Sequence, residues 1–261
     1  MLIRDARLDD ADQVARLHVA AWRSAYRGLA GDDVPERLSV EARAEQVRRL
    51  VAGDGVTRVA EVDGRIAGWS AVEAGELSIL YVDPAAWGTG VATALLREAE
   101  AAGATYLWTL EGNARARRFY ERQGWECEGM VRDHDFSGVL VDGGPLVLRE
   151  IRYAIGPLAA ERARTVARLA ALRRDFDGIV AASESSNADD EHDPEGATIA
   201  FERAQVVALI EQAEAQLDRV ELALRRRRDG GYGVCERCGG PIGAERLAAR
   251  PTATTCIGCA T

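Results

Sequence analysis

SILYVDPAAWGTGVATALL, from Ser78 to Leu96, reads as strand, tight loop and helix. Ile79, Leu80, Tyr81 and Val82 form a short apolar run of strong β preference, which Asp83-Pro84 breaks. Gly88 and Gly90 allow a turn that side chains would obstruct, and from Val91 the positions Val91, Leu95, Leu96 and Ala99 recur at helical spacing. A glycine loop that opens a helix leaves backbone N–H groups unpaired, and the helix dipole adds partial positive charge there. The stretch predicts a phosphate cradle, although a strand-glycine-helix junction can also serve packing alone.

The 261 residues suffice for one large domain or two ordinary ones, and two are expected. No apolar run approaches the ~20 residues that span a bilayer, and the opening MLIRDARLDDADQ lacks the layout of a secretion signal. A soluble cytoplasmic protein is expected, with no membrane partner. The net charge of −9 argues against direct nucleic-acid binding, which needs clustered basic groups. All 33 basic residues are arginine; with the high alanine content this reads as the codon bias of a GC-rich genome. Four of the five cysteines fall between Cys235 and Cys259, a clustering that suggests metal rather than a disulfide framework. Cys127, left over, is expected to pack as a small apolar residue in a strand.

From the N-terminus, Leu2 to Ala6 predicts a strand, followed by a helix with Val14, Leu17, His18 and Ala21 on one face. Trp22 and Tyr26 are expected to pack on the core rather than to contact substrate, and His18 to be a core histidine with its bonds satisfied rather than a catalyst. A helix over Val40 to Val51 precedes Val56 to Val62 and Ile66 to Val72, joined by Asp63-Gly64 as a hairpin. Then come a strand from Glu76 to Val82, the glycine loop and its helix, a strand from Ala104 to Leu110, and a short helix from Asn113 to Gln123 stopped by Gly124. Strands over Trp125 to Val131 and Leu146 to Ile155 close the domain. This order predicts an α+β fold, a mixed and mostly antiparallel sheet with flanking helices.

Val82 to Leu96, V-x-P-x-x-W-G-x-G-V-A-x-x-L-L, followed by N-x-x-A-x-x-F-Y-E-x-x-G-W from Asn113 to Trp125, resembles the GNAT family of acetyl-CoA-dependent N-acetyltransferases. The resemblance covers residues 1–156, with Trp87 standing where the family has Arg or Gln. It implies that Leu80, Tyr81 and Val82 border the pantetheine arm, that Val82 N–H polarises the thioester carbonyl, and that Asn113, besides capping its helix, reaches the pantetheine. The pyrophosphate would rest on backbone N–H groups of Gly88, Thr89, Gly90, Val91, Ala92 and Thr93, with Trp87 as an apolar wall. Tyr120 is the expected general acid, since a phenol held against the leaving sulfur can protonate it, while Phe119 beside it is expected to do the packing. Glu76 and Glu111 are the two carboxylates that could act as general base, and Glu76 is taken with Tyr120 as the catalytic pair. The acceptor, a small-molecule or protein amine, has no signature in the sequence.

Beyond Pro157 the composition turns to alanine, arginine, glutamate and leucine. Leu158, Thr165, Leu169, Leu172, Phe176 and Ile179 form one a/d stripe; Ile199, Val206, Ile210, Ala213, Leu217, Val220 and Leu224 form another. Residues 157–261 therefore predict an antiparallel α-helical coiled-coil hairpin with arms of ~40 Å, an acidic tip at 183–197, and a small four-cysteine zinc finger at 232–261. Cys235-x2-Cys238, seventeen residues, then Cys256-x2-Cys259 present four thiolates to one tetrahedral ion. With no open position, the single Zn2+ would be structural; a redox dithiol pair is the alternative reading. Tyr232-Gly233-x-Cys-x-x-Cys-Gly with Ile242, Arg246-Leu247-x-Ala249-Arg250-Pro251 and Cys256-Ile257-x-Cys259 is similar to the DksA/TraR family of C4 zinc-finger proteins. That resemblance implies binding to RNA polymerase through the tip, where Asp193-Pro194-Glu195-Gly196-Ala197 stands one residue shorter than the family's acidic element.

The chain thus reads as an N-acetyltransferase fused to a zinc-finger module that binds RNA polymerase and regulates transcription. Two alternatives stay open: a regulator whose first domain senses acetyl-CoA or is inactive, and a C-terminal half that only builds a dimer.

Overall fold

The computed structural model describes residues 1–26, 28–31, 34–142, 144–186 and 194–260. The chain divides into two compact units, Met1–Gly156 and Pro157–Thr261. In the first, strands β1 (Leu2–Asp5), β2 (Val56–Val62), β3 (Arg65–Glu73), β4 (Glu76–Val82), β5 (Tyr106–Leu110), β6 (Trp125–Asp135) and β7 (Val147–Ile155) form one sheet in the order β1-β2-β3-β4-β5-β7-β6. Helices α1 (Ala11–Ala25), α2 (Val34–Arg37), α3 (Val40–Ala52), α4 (Val91–Ala101) and α5 (Ala114–Arg122) accompany it. The Asp63-Gly64 turn carries φ of 50° and 75°, the double positive φ that matches a two-residue hairpin to strand twist.

Side-chain alternation sends the two faces of the sheet to different helices. Val59, Trp69, Ala71 and Ile79 pack with Val14 and Leu17 of α1 and Val47 of α3; Ala60, Ala67 and Val82 pack with Val91 and Leu95 of α4. Gly68 is what lets α4 come close. A Cβ there would lie 2.9 Å from Leu95 Cδ1, 3.0 Å from Val91 Cγ1 and 3.1 Å from the Tyr81 carbonyl oxygen. The far end of α4 is pinned by a buried bond, Trp125 Nε1 to Glu100 Oε1 at 2.9 Å.

All strand pairings are antiparallel except that of β4 with β5, which are parallel and in register only at Glu76 and Tyr106. A bulge precedes the opening: Ala71 pairs with Ile79 and Val72 with Leu77, so Ser78 is the extra residue on β4.

The second unit is built on two long helices, α6 (Pro157–Ser186) and α7 (Pro194–Arg228), followed by a small lobe with α8 (Ala244–Ala249). At 1.5 Å per residue their 30 and 35 residues span about 45 and 52 Å, longer than the ~40 Å expected. Leu158, Thr165 and Leu169 on α6, and Ala213, Val220 and Leu224 on α7, are the buried members of the two stripes. Leu158, Val220, Ala223 and Leu224 form one apolar cluster against Tyr232. Arg226 then ties α7 to the lobe, donating from Nη2 to the Val234 carbonyl at 2.6 Å and pairing with Glu236 at 3.2 Å. In both units the ion pairs are made by guanidinium groups, among them Arg4 with Asp10, Arg37 with Asp142 and Arg173 with Glu214.

Three expectations need correction. Strand β6 runs to Asp135, four residues past the expected end, because a register shift between Cys127 and Val131 lets it resume pairing with β7. Cys127 lies on that edge strand but is exposed rather than packed. His18 is a core residue without a core histidine's usual bonds: it is buried, and neither ring nitrogen has a partner. Among the described residues, no helix is long and apolar enough to cross a membrane.

Replacing Gly68 with Ala is expected to destabilise the first unit by about 1–3 kcal/mol, because backbone and two branched side chains must give way. Denaturant unfolding of the Gly68→Ala protein checks this; an unchanged midpoint would contradict the close approach.

Candidate functional site

The site begins where β4 and β5 part. In the β3–β4 ladder, Asp83 N–H donates to the Ala67 carbonyl at 2.8 Å. Antiparallel ladders alternate bonded and non-bonded pairs, so Gly68/Val82 and Ser70/Leu80 are non-bonded pairs. The amides of Leu80 and Val82 consequently point away from β3, into the gap toward β5. The Val82 carbonyl is capped by Trp87 Nε1 at 3.0 Å, and no such side chain meets the Val82 N–H among the described residues.

A cavity of about 560 Å³ fills this gap. Leu80, Tyr81 and Val82 of β4 form one wall, Trp108 and Thr109 of β5 another, and Trp87, Gly88, Gly90, Ala92 and Thr93 the end at the glycine loop. Gly90, at φ 94°, is the cap of α4, and the first N–H groups of that helix have no partner within it. Two members of the expected loop set stand apart. Thr89 turns inward, its N–H and hydroxyl both meeting the Ala86 carbonyl, at 3.4 and 2.7 Å. Val91 is buried, and its side chain packs under α4 instead of facing the cavity.

Asn113 caps α5 by accepting from Ala116 N–H at 3.0 Å, and it lines the same cavity. Further along α5, Tyr120 also faces the cavity, and its hydroxyl makes no hydrogen bond among the described residues. Its phenol is pushed above the usual value by burial and by the nearby Tyr81 phenol, so it stays protonated at neutral pH. The sequence assigns packing to Phe119 and leaves Tyr120 free; Tyr120 is in fact the more buried of the two, its ring near Trp125 and Tyr153.

Three cavity residues were not legible in the sequence. Tyr26, at the end of α1, shares a 3.0 Å hydrogen bond with Tyr81, whose hydroxyl also accepts from Trp22 Nε1 at 2.8 Å. Trp108 lies at the opening on β5. Arg115 lies over Trp87, its Cζ 3.1 Å from the ring centroid. A guanidinium thus reaches the glycine loop from α5, although the loop itself has Trp87 where an Arg or Gln was expected. It stood in the run Arg115-Ala-Arg117-Arg118, where nothing distinguishes one arginine from the next.

Glu76 is not in this cavity. It lines a second one of about 380 Å³, on the α1 and α3 side of β4, which shares Ser78, Tyr81 and Trp108 with the first. There Arg132 bonds Glu150 at 2.8 Å and lies 4.0 Å from Glu76. Glu111 lines neither cavity and pairs with Arg149 at 3.1 Å. Of the two carboxylates considered as base, only Glu76 lines either cavity.

In the second unit, the ligand atoms of Cys235, Cys238, Cys256 and Cys259 all lie within 4.8 Å of one another. Zn–S bonds of about 2.3 Å in a tetrahedron place sulfurs about 3.8 Å apart. Cys238 and Cys256 stand at 3.8 Å. The N–H groups of Cys256, Cys238 and Arg237 draw the Cys235 thiol down to about 6, while the crowding of Cys256, Cys238 and Cys235 around Cys259 pushes its thiol up to about 12, a repulsion that a bound cation would relieve. The chemistry is that of a closed structural zinc site. Two backbone bonds shape its first knuckle, Cys235 N–H to Gly240 and Gly239 N–H to Cys235, both to carbonyl oxygens.

Comparison with known proteins identifies both regions. Residues 53–127 match the family model described as an acetyltransferase (GNAT) domain, and residues 230–261 match the prokaryotic dksA/traR C4-type zinc finger. The RNA polymerase-binding transcription factor DksA of Caulobacter vibrioides is 54% identical over 41 residues, 16% of this chain and 29% of that protein. The factor of the same name from Escherichia coli K12 is 47% identical over 45 residues, 17% of this chain and 30% of that one. This chain therefore matches less than a third of the length of these curated relatives. Among solved structures, the PaiA N-acetyltransferase of Thermoplasma acidophilum in complex with coenzyme A aligns with 57% of this chain and 96% of its own, at 18% identity and a TM-score of 0.44. The transcription factor DksA2 of Pseudomonas aeruginosa aligns with 39% and 78%, at 29% identity and a TM-score of 0.29.

Changing Cys256 to Ala is expected to lower bound zinc from one per chain to near zero. Proteolytic resistance of the finger should go with it, since structural zinc contributes on the order of 10 kcal/mol to such lobes. Metal analysis beside limited proteolysis reads both; full zinc content in the variant would contradict the four-thiolate site.

Proposed function

We propose that this chain, a GNAT acetyltransferase domain joined to a dksA/traR-type C4 zinc finger, transfers an acetyl group from acetyl-CoA to an amine and binds RNA polymerase through its C-terminal module. One observation carries the first half: a single cavity joins the unpaired amides of β4, the orphan N–H groups of α4 and the phenol of Tyr120.

In this reading the loop from Gly88 to Thr93, Thr89 excepted, holds the pyrophosphate through backbone N–H groups, and Arg115 adds the positive charge absent from the loop's own side chains. The exposed edge of β4 holds the pantetheine amides as a further strand would. Glu76, directly or through water, takes the proton that the ammonium must lose before it is nucleophilic. As the amine nitrogen bonds to the carbonyl carbon, Val82 N–H stabilises the charge gathering on oxygen. When the C–S bond breaks, Tyr120 gives its proton to the sulfur and later recovers one from the amide nitrogen's surplus. The raised pKa of Tyr120 suits an acid that must remain protonated until the thiolate appears.

For the zinc module the support is the dense identity with DksA across the finger. The acidic element at the tip is assigned the polymerase contact, with Asp193 and Glu195 as its charges. Asp193 lies outside the described residues, as does the side chain of Glu195. The proposed setting is the cytoplasm, where polymerase works.

Tyr120→Phe is expected to lower kcat by about 10²-fold with acetyl-CoA affinity unchanged. A domain that only senses acetyl-CoA would bind it and show no turnover in either protein. Because the acid form is the active one and its pKa is raised, kcat should show no Tyr120-linked fall on the alkaline side below about pH 10; a decline near neutrality that vanishes in the Phe variant would reject this role. Separately, the full-length chain should capture core RNA polymerase, and a variant with Asp193→Ala and Glu195→Ala should capture it at least about tenfold more weakly; equal capture would move the contact away from the tip.

A further inference from the structure

The second cavity contains a charge with nothing of opposite sign beside it. Arg43, on α3, is 5% exposed, and its guanidinium faces the cavity. Its Nη1 donates to Gln46 Oε1 at 2.6 Å, its Nε has no partner, and it makes no ion pair among the described residues. The guanidinium also lies over the Trp22 ring, 5.9 Å from its centroid. A guanidinium cannot shed its proton to escape burial, so an uncompensated one in a cavity wall is a receptor for an anion. His18, 1% exposed on α1, lines the same cavity with both ring nitrogens unpartnered. It stacks on Tyr81 with ring centroids 4.0 Å apart. Burial and the neighbouring Arg43 keep this imidazole neutral, so it places no further charge beside the guanidinium.

Four carboxylates line the cavity; Glu73, at the end of β3, is exposed, and the other three have partners. Glu150 accepts from Arg132, Glu76 shares that guanidinium, and Asp135 accepts from the Ser137 N–H. They gather on strands β4, β6 and β7, apart in sequence from the α1 and α3 residues that carry His18 and Arg43. The cavity is therefore bipolar, with Arg43 on the helix side and Glu76 on β4, two residues from Ser78 in the wall shared with the first cavity. Its volume of about 380 Å³ suits a small molecule.

We infer that the acceptor is a small zwitterionic amine of the free amino-acid type, its carboxylate on Arg43 and its amine presented past Glu76 to the gap between β4 and β5. This rests on the acetyltransferase reading above. Arg43 is here a specificity residue that touches the substrate, not the proton path.

The test uses the full-length chain, acetyl-CoA and matched acceptors: L-phenylalanine against L-phenylalaninamide, and 5-aminovalerate against pentylamine. The carboxylate-bearing member of at least one pair should have the higher kcat/KM by about tenfold or more. Arg43→Met should erase that preference by raising its KM about 10–100-fold, leaving the KM for acetyl-CoA and the rate with the neutral amine within about twofold. Arg43→Lys should restore part of it. A readout without turnover is calorimetric binding of N-acetyl-L-phenylalanine to the CoA-saturated chain, which Arg43→Lys should weaken; should the Met variant not fold, this measurement decides. Equal use of both members of each pair, use of neither, or a preference that survives Arg43→Met overturns the inference. Acetyl-CoA binding by calorimetry separates the two levels: binding with no carboxylate preference sinks only this inference, whereas no binding sinks the acetyltransferase reading itself.

Discussion

Two parallel strands that pair at one register and then separate set the terms for the rest of the first unit. Elsewhere in the sheet the antiparallel ladders satisfy backbone groups. At the β4–β5 junction they do not. A buried amide without a partner costs free energy, so the gap is stable only if something with amide-like hydrogen-bonding groups occupies it or water does. Ser78 bulges near the start of the gap, and α4 packs closely over Gly68 on the neighbouring strand. The same helix begins at the glycine loop, so its packing over β3 and its unpaired first N–H groups belong to one piece of structure.

The second unit solves a different problem. Its coil seam is buried at Leu158, Thr165 and Leu169 on one helix and at Ala213, Val220 and Leu224 on the other, while much of the remaining helical surface is exposed. The lobe beyond α7 contributes few buried apolar residues, Ile242 among them. Four thiolates on one ion supply what such a lobe lacks. Tyr232, packed on Leu158 and Leu224 and donating to the Pro251 carbonyl at 2.9 Å, links that metal-held lobe to the seam.

What could be read in the sequence was whatever depends on spacing along the chain. The glycine loop before an apolar helix, the Asp-Gly hairpin and the paired Cys-x-x-Cys motifs each impose their geometry within a few residues, and the strand and helix order followed. The candidate site was legible only in part, because it depends on which distant elements meet. Tyr120 and Asn113 fell on the cavity through their motif. Glu76, read as part of that same site, belongs to the adjoining cavity because its strand is shared between them. Arg43 and His18 gave no signal: one is an arginine among 33, the other a histidine on an ordinary amphipathic face. Their significance comes from burial without partners, which only tertiary packing creates. The extension of β6 past Val131 was missed for a related reason, since a bulge interrupts the alternation on which strand reading depends.

The guanidinium groups that make the ion pairs of both units have a chemical consequence. Across all 261 residues no lysine is present, so no side chain offers a primary amine. A guanidinium, protonated throughout the range in which enzymes work, has no lone pair to attack a thioester. If the first domain uses acetyl-CoA as proposed, the donor cannot modify this chain through lysine, either enzymatically or by slow direct reaction. Any acetyl-lysine found when this chain is incubated with another protein must lie on the other protein.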